Sequence, residues 1–266
     1  MVGGFPILAE IGSGVQAETA TSLWGITISG GGLANVQGAW TTVIASTPAE
    51  ASWLDVTVMS GGQPARCAID IGVGSAGNEV ALIRDLLFMP ANNYFLSTKG
   101  PFPLAIPAGQ RLVARYRSDY NGVDNCALQV GLYPASFSTS SFAGVDSIGF
   151  IASTTSGTSV PAGNQTMGSY TQIIASTLRD YSGIFVIHDS LNRTASDQGG
   201  FDISIGASGS EQVIIPHLGW TTNSNDISSG WIYPINIPAG TRIAARSYFM
   251  HAGDTSPTII IYGIYQ

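Results

Sequence analysis

IPAGQRLVAR at residues 106–115 recurs almost unchanged as IPAGTRIAAR at residues 237–246. Extended upstream, PLAIPAGQRLVAR and PINIPAGTRIAAR are identical at eight of thirteen positions. Pro fixes the backbone at the second position of a tight turn, and Gly takes the left-handed conformation that closes it. Apolar and polar residues alternate on both sides of the turn. Each copy therefore predicts a β-hairpin with one buried face.

Three further blocks recur in the same order, 130 to 134 residues apart. They pair TTVIAST at 41–47 with TQIIAST at 171–177, AIDIGVGSAGNEVALI at 68–83 with DISIGASGSEQVII at 202–215, and LQVGLY at 128–133 with IIYGIY at 260–265. Collinear matches of this kind predict an internal duplication. We expect two homologous domains, 1–134 and 135–266, joined at the Ser-rich stretch 134–144. The Gly-rich segment 1–38 is either an arm or part of the first domain.

Short runs of β-branched and aromatic residues fill both halves, separated by clusters of Gly, Asn, Asp and Ser. WLDVTVM at 53–59 and TIIIYGIY at 258–265 are examples, and no amphipathic pattern extends beyond two helical turns. The pattern predicts an all-β protein of two tandem homologous β-sandwich domains with a jelly-roll-like arrangement. An immunoglobulin-like sandwich is the alternative.

Charge is scarce and acidic overall. Charged residues make up 10% of the chain, the formal net charge is −7, and Lys99 is the single lysine. The acidic balance argues against nucleic-acid binding, because phosphates are neutralised by clustered Lys and Arg. No stretch has the length of a membrane span, and the N-terminus does not resemble a signal peptide. A lysine-poor surface suits a protein whose faces are covered by neighbours.

No pattern in the sequence predicts catalysis, a cofactor or a metal. The histidines His188, His217 and His251 lack ligand spacing, and no nucleophile elbow or P-loop is present. The acidic loop 118–125 predicts a turn rather than a calcium site. Cys67 and Cys126 are too few for a disulfide framework and are expected to be buried thiols, compatible with folding in a reducing cytoplasm.

Four arginines recur as two pairs, Arg111 with Arg242 and Arg115 with Arg246. They are expected on the strand face opposite the apolar residues. They either bind carboxylates or carbonyls of a neighbouring subunit or pair with acceptors in their own domain. Trp53 aligns with a glycine in the second copy, so it is a fifth candidate interface residue. The other tryptophans are less distinctive, and Trp40, which aligns with Tyr170, and Trp220 are expected in the core; Trp24 and Trp231 are the remaining two.

The lysine-poor, Gly-, Ser- and Thr-rich composition with the IPAG-x-R-[LI]-x-A-R motif resembles structural proteins of tailed-bacteriophage virions. The resemblance covers both halves and is greatest to the accessory head proteins called cement or decoration proteins. It implies a non-enzymatic structural protein on the capsid exterior, made in the host cytoplasm. It implies binding to major capsid protein subunits and a homo-oligomer, with a trimer favoured, and it brings no catalytic residues.

Three other functions remain open at the level of sequence. One is a phage tail or fibre module that binds host glycans, which would need exposed tryptophans. Another is a small major capsid protein with a double jelly roll. A carbohydrate-active enzyme is the last, and it would need a carboxylate pair in a cleft.

Overall fold

The computed structural model describes residues 9–11, 25–60, 66–88, 96–122, 124–134, 142–189, 198–221, 232–250 and 257–266. Within these ranges all regular structure is β-strand, as predicted. The chain divides into two compact units. Unit 1 comprises residues 1–145, 153–155 and 266, and unit 2 comprises 146–152 and 156–265. The domain boundary expected at residues 134/135 stays a prediction.

Unit 1 is a β-sandwich of two sheets. Its strands are β1 (Ala9–Ile11), β2 (Ile26–Ser29), β3 (Thr41–Ile44), β4 (Ala51–Ser60), β5 (Cys67–Val73), β6 (Val80–Phe88), β7 (Leu96–Phe102), β8 (Leu112–Ser118) and β9 (Asn125–Pro134). One sheet has the order β2–β9–β4–β7, with β1 also paired to β9, and the other runs β3–β8–β5–β6. The N-terminal strands β1 and β2 therefore belong to the first sheet.

Unit 2 repeats this arrangement. Its strands follow β10 (Gly144–Ile148), which spans the point of division, and are β11 (Thr158–Ser159), β12 (Ala162–Asn164), β13 (Thr171–Ile174), β14 (Gly183–Asp189), β15 (Gln198–Ile205), β16 (Gln212–Thr221), β17 (Ile243–Phe249) and β18 (Thr258–Tyr265). One sheet runs β13–β17–β15–β16, and the short strand β12 also pairs with β17. In the other, β11 and β14 pair with β18, and Tyr233 bridges to Ile184 of β14.

The strand order is that of a jelly roll. In each sheet of unit 1 a late strand lies between early ones: β9 between β2 and β4, and β8 between β3 and β5. Unit 2 places β18 and β17 in the same way. An immunoglobulin-like sandwich does not interleave the two ends of the chain in both sheets. The jelly-roll prediction is confirmed, and the immunoglobulin-like alternative is wrong.

The IPAG turn does not form the predicted hairpin. The turn itself is as expected, because the Thr241 amide donates to the Pro238 carbonyl at 3.3 Å and Gly240 has φ 81°. Ile237, however, exchanges its backbone hydrogen bonds with Tyr181, whereas β17 pairs with β13 and β15. The strands on either side of the turn therefore belong to different sheets, and the motif is a crossover between them. The same holds for Ile106 and Ala51 in unit 1.

The same cross-strand residue pairs occur in both units, and the equivalent residues are separated in sequence by about as much as the repeated blocks are. Asp70 faces Arg115 across β5 and β8, and Asp202 faces Arg246 across β15 and β17. In both crossovers a threonine hydroxyl, from Thr47 or Thr177, donates 2.7 Å to the carbonyl of the turn proline. The two units therefore share these pairings, and the internal duplication itself stays a prediction.

The match of LQVGLY with IIYGIY is out of register by one residue. Gly263 faces the core, where a Cβ would lie 2.5 Å from the ring of Tyr181. Gly131 faces outward, where a Cβ would meet the carboxylate of Asp55. A one-residue shift exchanges the two faces of a strand, so the shared glycine is not a structural equivalence. Burial instead aligns Val130 with Ile261.

Within the described part of the chain, no helix has the length and apolar character needed to cross a membrane.

Candidate functional site: the repeated arginine clusters

Each unit carries an arginine that lies between an aromatic ring and a carboxylate on the outer face of the β3–β8–β5–β6 sheet or its counterpart. In unit 1 the Arg115 guanidinium carbon lies 4.5 Å from the centre of the Trp40 ring, and its Nε donates to Asp70 Oδ2 at 2.7 Å. The Asp70 side chain is 5% exposed and the Arg115 side chain 31% exposed. We call Trp40, Arg115 and Asp70 the first arginine stack.

The second arginine stack consists of Tyr170, Arg246 and Asp202. The Arg246 guanidinium carbon lies 4.8 Å from the Tyr170 ring centre. Its Nε and a terminal nitrogen donate to Asp202 Oδ2 at 3.0 and 2.8 Å. The Asp202 side chain is 4% exposed and that of Arg246 32% exposed. The core prediction for Trp40 and Tyr170 is wrong: both are half-buried on the outer face, because each ring lies against a guanidinium that remains partly in water.

The carboxylate of each stack also supports an irregular point in the neighbouring strand. Asp70 Oδ1 accepts the Asp85 amide at 2.7 Å, and Asp202 Oδ1 accepts the His217 amide at 2.9 Å. Asp85 and His217 have φ values of 52° and 49°, in the left-handed region. Because the bulged backbone directs these amides away from the regular ladder, a buried carboxylate is the acceptor that satisfies them.

A second repeated cluster fastens the turn between β5 and β6, or between β15 and β16. Arg111 donates to Glu79 Oε1 at 2.9 Å and to the Gly74 carbonyl at 3.1 Å. Arg242 makes the same bonds to Glu211 and the Gly206 carbonyl, at 3.1 and 3.0 Å. We call Arg111 with Glu79, and Arg242 with Glu211, the hairpin locks. All four candidate arginines therefore pair with acceptors in their own unit, and an additional role at an interface remains a prediction.

The hairpin locks favour ionised carboxylates. The hydrogen bond from Arg111 lowers the pKa of Glu79, and amide hydrogen bonds within the turn act in the same direction. For Glu211, burial alone would raise the pKa, but hydrogen bonds from the turn backbone and from Arg242 lower it overall. Stabilisation from a carboxylate with a lowered folded-state pKa is complete above the unfolded-state pKa and is lost as pH falls through the folded-state value.

Glu79→Gln is expected to lower the melting temperature at neutral pH, because the amide keeps the shape of the side chain but loses its charge. The difference in melting temperature from the unmodified protein should narrow as pH falls below about 4.3, the ordinary pKa of a glutamate, and then through the lower folded-state pKa of Glu79. Calorimetry between pH 7 and pH 3 measures this. Glu50→Gln removes an equal charge from an exposed position and serves as the control. A difference that does not change with pH would contradict the ionised lock.

Trp53 lies on the outer face of the other sheet of unit 1. It pairs across strands with Tyr133, whose hydroxyl donates to Asp55 Oδ2 at 2.5 Å. Asp55 also accepts the Gly131 amide at 2.9 Å. The Trp53 indole nitrogen is buried, and none of the described residues offers it a hydrogen-bond acceptor. Whether Trp53 contacts a partner remains a prediction.

Two of the three histidines lie among the described residues. His188 is 3% exposed with its ring 6.2 Å from that of Phe201, whereas the His217 side chain is 71% exposed. His251, Trp24 and Trp231 lie outside the described residues, as does the side chain of Trp220. Among the described residues, no group of three or more His, Cys, Asp or Glu side chains is placed to hold a metal ion.

Sequence reasoning missed the carboxylates of these clusters, although the signal was available. Asp70 and Asp202 occupy equivalent places in the repeated blocks, and so do Glu79 and Glu211. The two copies of each arginine are separated in sequence by nearly as many residues as the two copies of each carboxylate. Each repeated arginine therefore had a repeated carboxylate as a candidate partner. The strand pairing that joins each pair could not be read from the sequence blocks alone.

Comparison with known proteins gives only distant structural likeness. No family model matches the chain, and no curated protein matches it. Among solved structures, the STIV MCP is similar at TM-score 0.39 and 9% identity, covering 91% of this chain and 97% of that one. PNGF-II is similar at TM-score 0.37 and 9% identity, covering 98% of this chain and 64% of that one. The VP2 subviral particle of infectious bursal disease virus is similar at TM-score 0.24 and 13% identity, covering 84% and 58%. Likeness at this level does not choose among functions.

Proposed function

We propose that this chain is a non-enzymatic structural protein of a virion, a capsid cement or decoration protein that binds assembled capsid subunits on the outer surface. The observation that carries the proposal is the tandem arrangement of two jelly rolls with the same strand order in one chain. A capsid is a lattice of repeated subunits, and a chain with two similar units fits two repeats of such a lattice.

Tandem units also give a physical reason for tight attachment. Once one unit is bound, the second binds as an intramolecular event, which raises the overall affinity by about 10²- to 10⁴-fold if both sites can be reached. Neither contact then has to be strong alone. This suits a protein that stabilises a shell after assembly.

The surface has a composition that supports a role in assembly. Lys99 is the single lysine of the chain and is 1% exposed, with its amine 6.0 Å from the centre of the Phe88 ring. Lysine side chains are therefore missing from the surface. Lysine is depleted in protein interfaces, because its flexible, strongly hydrated ammonium is costly to cover.

A homo-oligomer, with a trimer favoured, is part of the proposal, because six similar jelly rolls around a three-fold axis match a pseudo-hexagonal lattice position. Light scattering across a range of concentrations is expected to give a constant trimer mass. A monomer at every concentration would contradict self-association in solution.

The binding itself is tested by adding the purified chain to capsids that lack it. The chain is expected to sediment with the capsids, to saturate at a fixed ratio to the major capsid protein, and to raise the temperature at which the shell opens. A purified lysozyme at equal concentration is the control for trapping in the pellet. Failure to sediment with intact capsids would contradict the cement role.

A second candidate is a small major capsid protein with a double jelly roll, and the observed strand order in both units favours it. The two functions differ in what the chain does alone. A major capsid protein expressed without other virion proteins is expected to form closed shells visible by electron microscopy. A cement protein is expected to remain as small oligomers.

A further inference from the structure

Two buried cysteines lie in unit 1 and take no part in the clusters described above. Cys67 is 0% exposed and Cys126 is 1% exposed, and both are free thiols. Cys67 belongs to β5 and Cys126 to β9, so the two come from opposite sheets of the sandwich.

Both side chains point into the interior between the sheets. Cys67 is on the same face of β5 as Ile69 and Ile71, each 0% exposed, because alternate residues of a strand share a face. Cys126 is in the same way on the face of Leu128 and Val130, also 0% exposed. The two thiols therefore face the same interior from either side.

The cysteines also lie at the same end of the sandwich. Cys67 pairs with Ser118, the last residue of β8, and Cys126 is the second residue of β9, which follows after residues 119–124. The Tyr116 hydroxyl donates to Asp124 at 2.5 Å and so closes this corner. Stacked sheets are about 10 Å apart, and at this end the chain passes from β8 in one sheet to β9 in the other.

Electrostatic coupling agrees with this placement. Burial raises the pKa of Cys67 well above its ordinary value, and the neighbouring Cys126 raises it further.

Unit 2 has no cysteine at the corresponding positions. Gly199, which pairs with Phe249, corresponds to Cys67, and Pro257 corresponds to Cys126. The jelly roll therefore does not require a thiol at either position. Unit 1 has both cysteines and unit 2 has neither.

We propose that Cys67 and Cys126 form an intrachain disulfide that joins the two sheets of unit 1 when the chain meets an oxidising medium. The oxidant is a small disulfide such as oxidised glutathione. One thiolate attacks it and forms a mixed disulfide, releasing one glutathione thiolate. The second cysteine thiolate then attacks the protein sulfur of that bond and releases the other. Two protein thiols become one cystine, and the oxidant is reduced to two glutathione thiols. This inference does not depend on the virion role.

The raised pKa values imply slow reaction in the closed protein, because the thiolate is the attacking species and both thiols are buried. Oxidation is expected to proceed when the β8–β9 corner opens, and faster at alkaline pH. The bond would close the chain between residues 67 and 126. Constraining the unfolded chain in this way is expected to raise the melting temperature of unit 1 by about 10 °C.

The test incubates the full-length protein with oxidised glutathione at alkaline pH, then denatures and alkylates it before intact-mass analysis. The expected product is a monomeric chain that has lost two hydrogen atoms and takes up no alkylating agent. It should melt higher, and dithiothreitol should reverse the change. The Cys67→Ser/Cys126→Ser double variant controls for other effects of the oxidant on melting.

Three outcomes would overturn the proposal. Both thiols could still be alkylated after prolonged oxidation, the chain could stop at a glutathione adduct, or the disulfide could join two chains. The mass measurement uses the unmodified protein, so the proposal stays testable even if the double variant does not fold.

Discussion

Asp202→Ala is expected to destabilise unit 2 by about 3 kcal/mol. The substitution removes the acceptor of Arg246 and leaves the His217 amide without its bond at 2.9 Å. The lost carboxylate is 4% exposed, so water replaces it poorly, although Arg246 at 32% exposed recovers part of its hydration. Urea unfolding of both proteins measures the difference, and Asp70→Ala should cause a similar loss in unit 1.

Two variants separate the stack from a general effect of losing an aspartate. Asp202→Asn keeps an oxygen for the His217 amide and should cost less than Asp202→Ala. Asp180→Ala removes an exposed carboxylate that accepts the Ala239 amide at 2.7 Å, and it should cost under about 1 kcal/mol. A loss for Asp202→Ala no larger than that for Asp180→Ala would show that the stack does not stabilise the unit.

Gly263→Ala is expected to destabilise unit 2 by about 2–3 kcal/mol through overpacking. A Cβ at this position would lie 2.5 Å from the Tyr181 ring, which is 2% exposed and packed in the core. The hydroxyl of Tyr181 donates to Asp146 at 3.2 Å, so the ring cannot move away without losing that bond. Thermal unfolding measures the loss.

The matched control is Gly219→Ala, where a Cβ would be 4.0 Å from the nearest atom, the Gly199 carbonyl oxygen. It should change stability by no more than about 0.5 kcal/mol. Combining Gly263→Ala with Tyr181→Leu should cost less than the sum of the two, because the smaller side chain leaves room for the methyl group. Equal effects of Gly263→Ala and Gly219→Ala would contradict the inward register of Gly263.

Local features were readable from the sequence where a single residue sets the backbone. The glycine at position 240 predicted a left-handed turn conformation, and Gly240 has it. In β17 the apolar Ile243 and Ala245 alternate with arginines, and this alternation predicted the face that is buried. The all-β class and the jelly-roll-like sandwiches followed from the many short strands.

Pairing between distant segments was not readable. The IPAG turn looked like a hairpin because the partner of Ile237, Tyr181, is distant in sequence. Trp40 looked like core because an aromatic ring before a strand gives no sign that Arg115 will cover it. The shared Gly131 and Gly263 suggested a register that burial contradicts. In each case the deciding contact lies in another strand.

The proposed virion role is tested most directly by quantitative peptide mass spectrometry of purified virions of the virus that encodes the chain. The cement proposal predicts that peptides from both units are present at a fixed ratio to the major capsid protein, and that mild chaotropic washing releases them while the shell stays closed. Absence of the chain from purified virions, with abundant chain in the infected lysate, would contradict it.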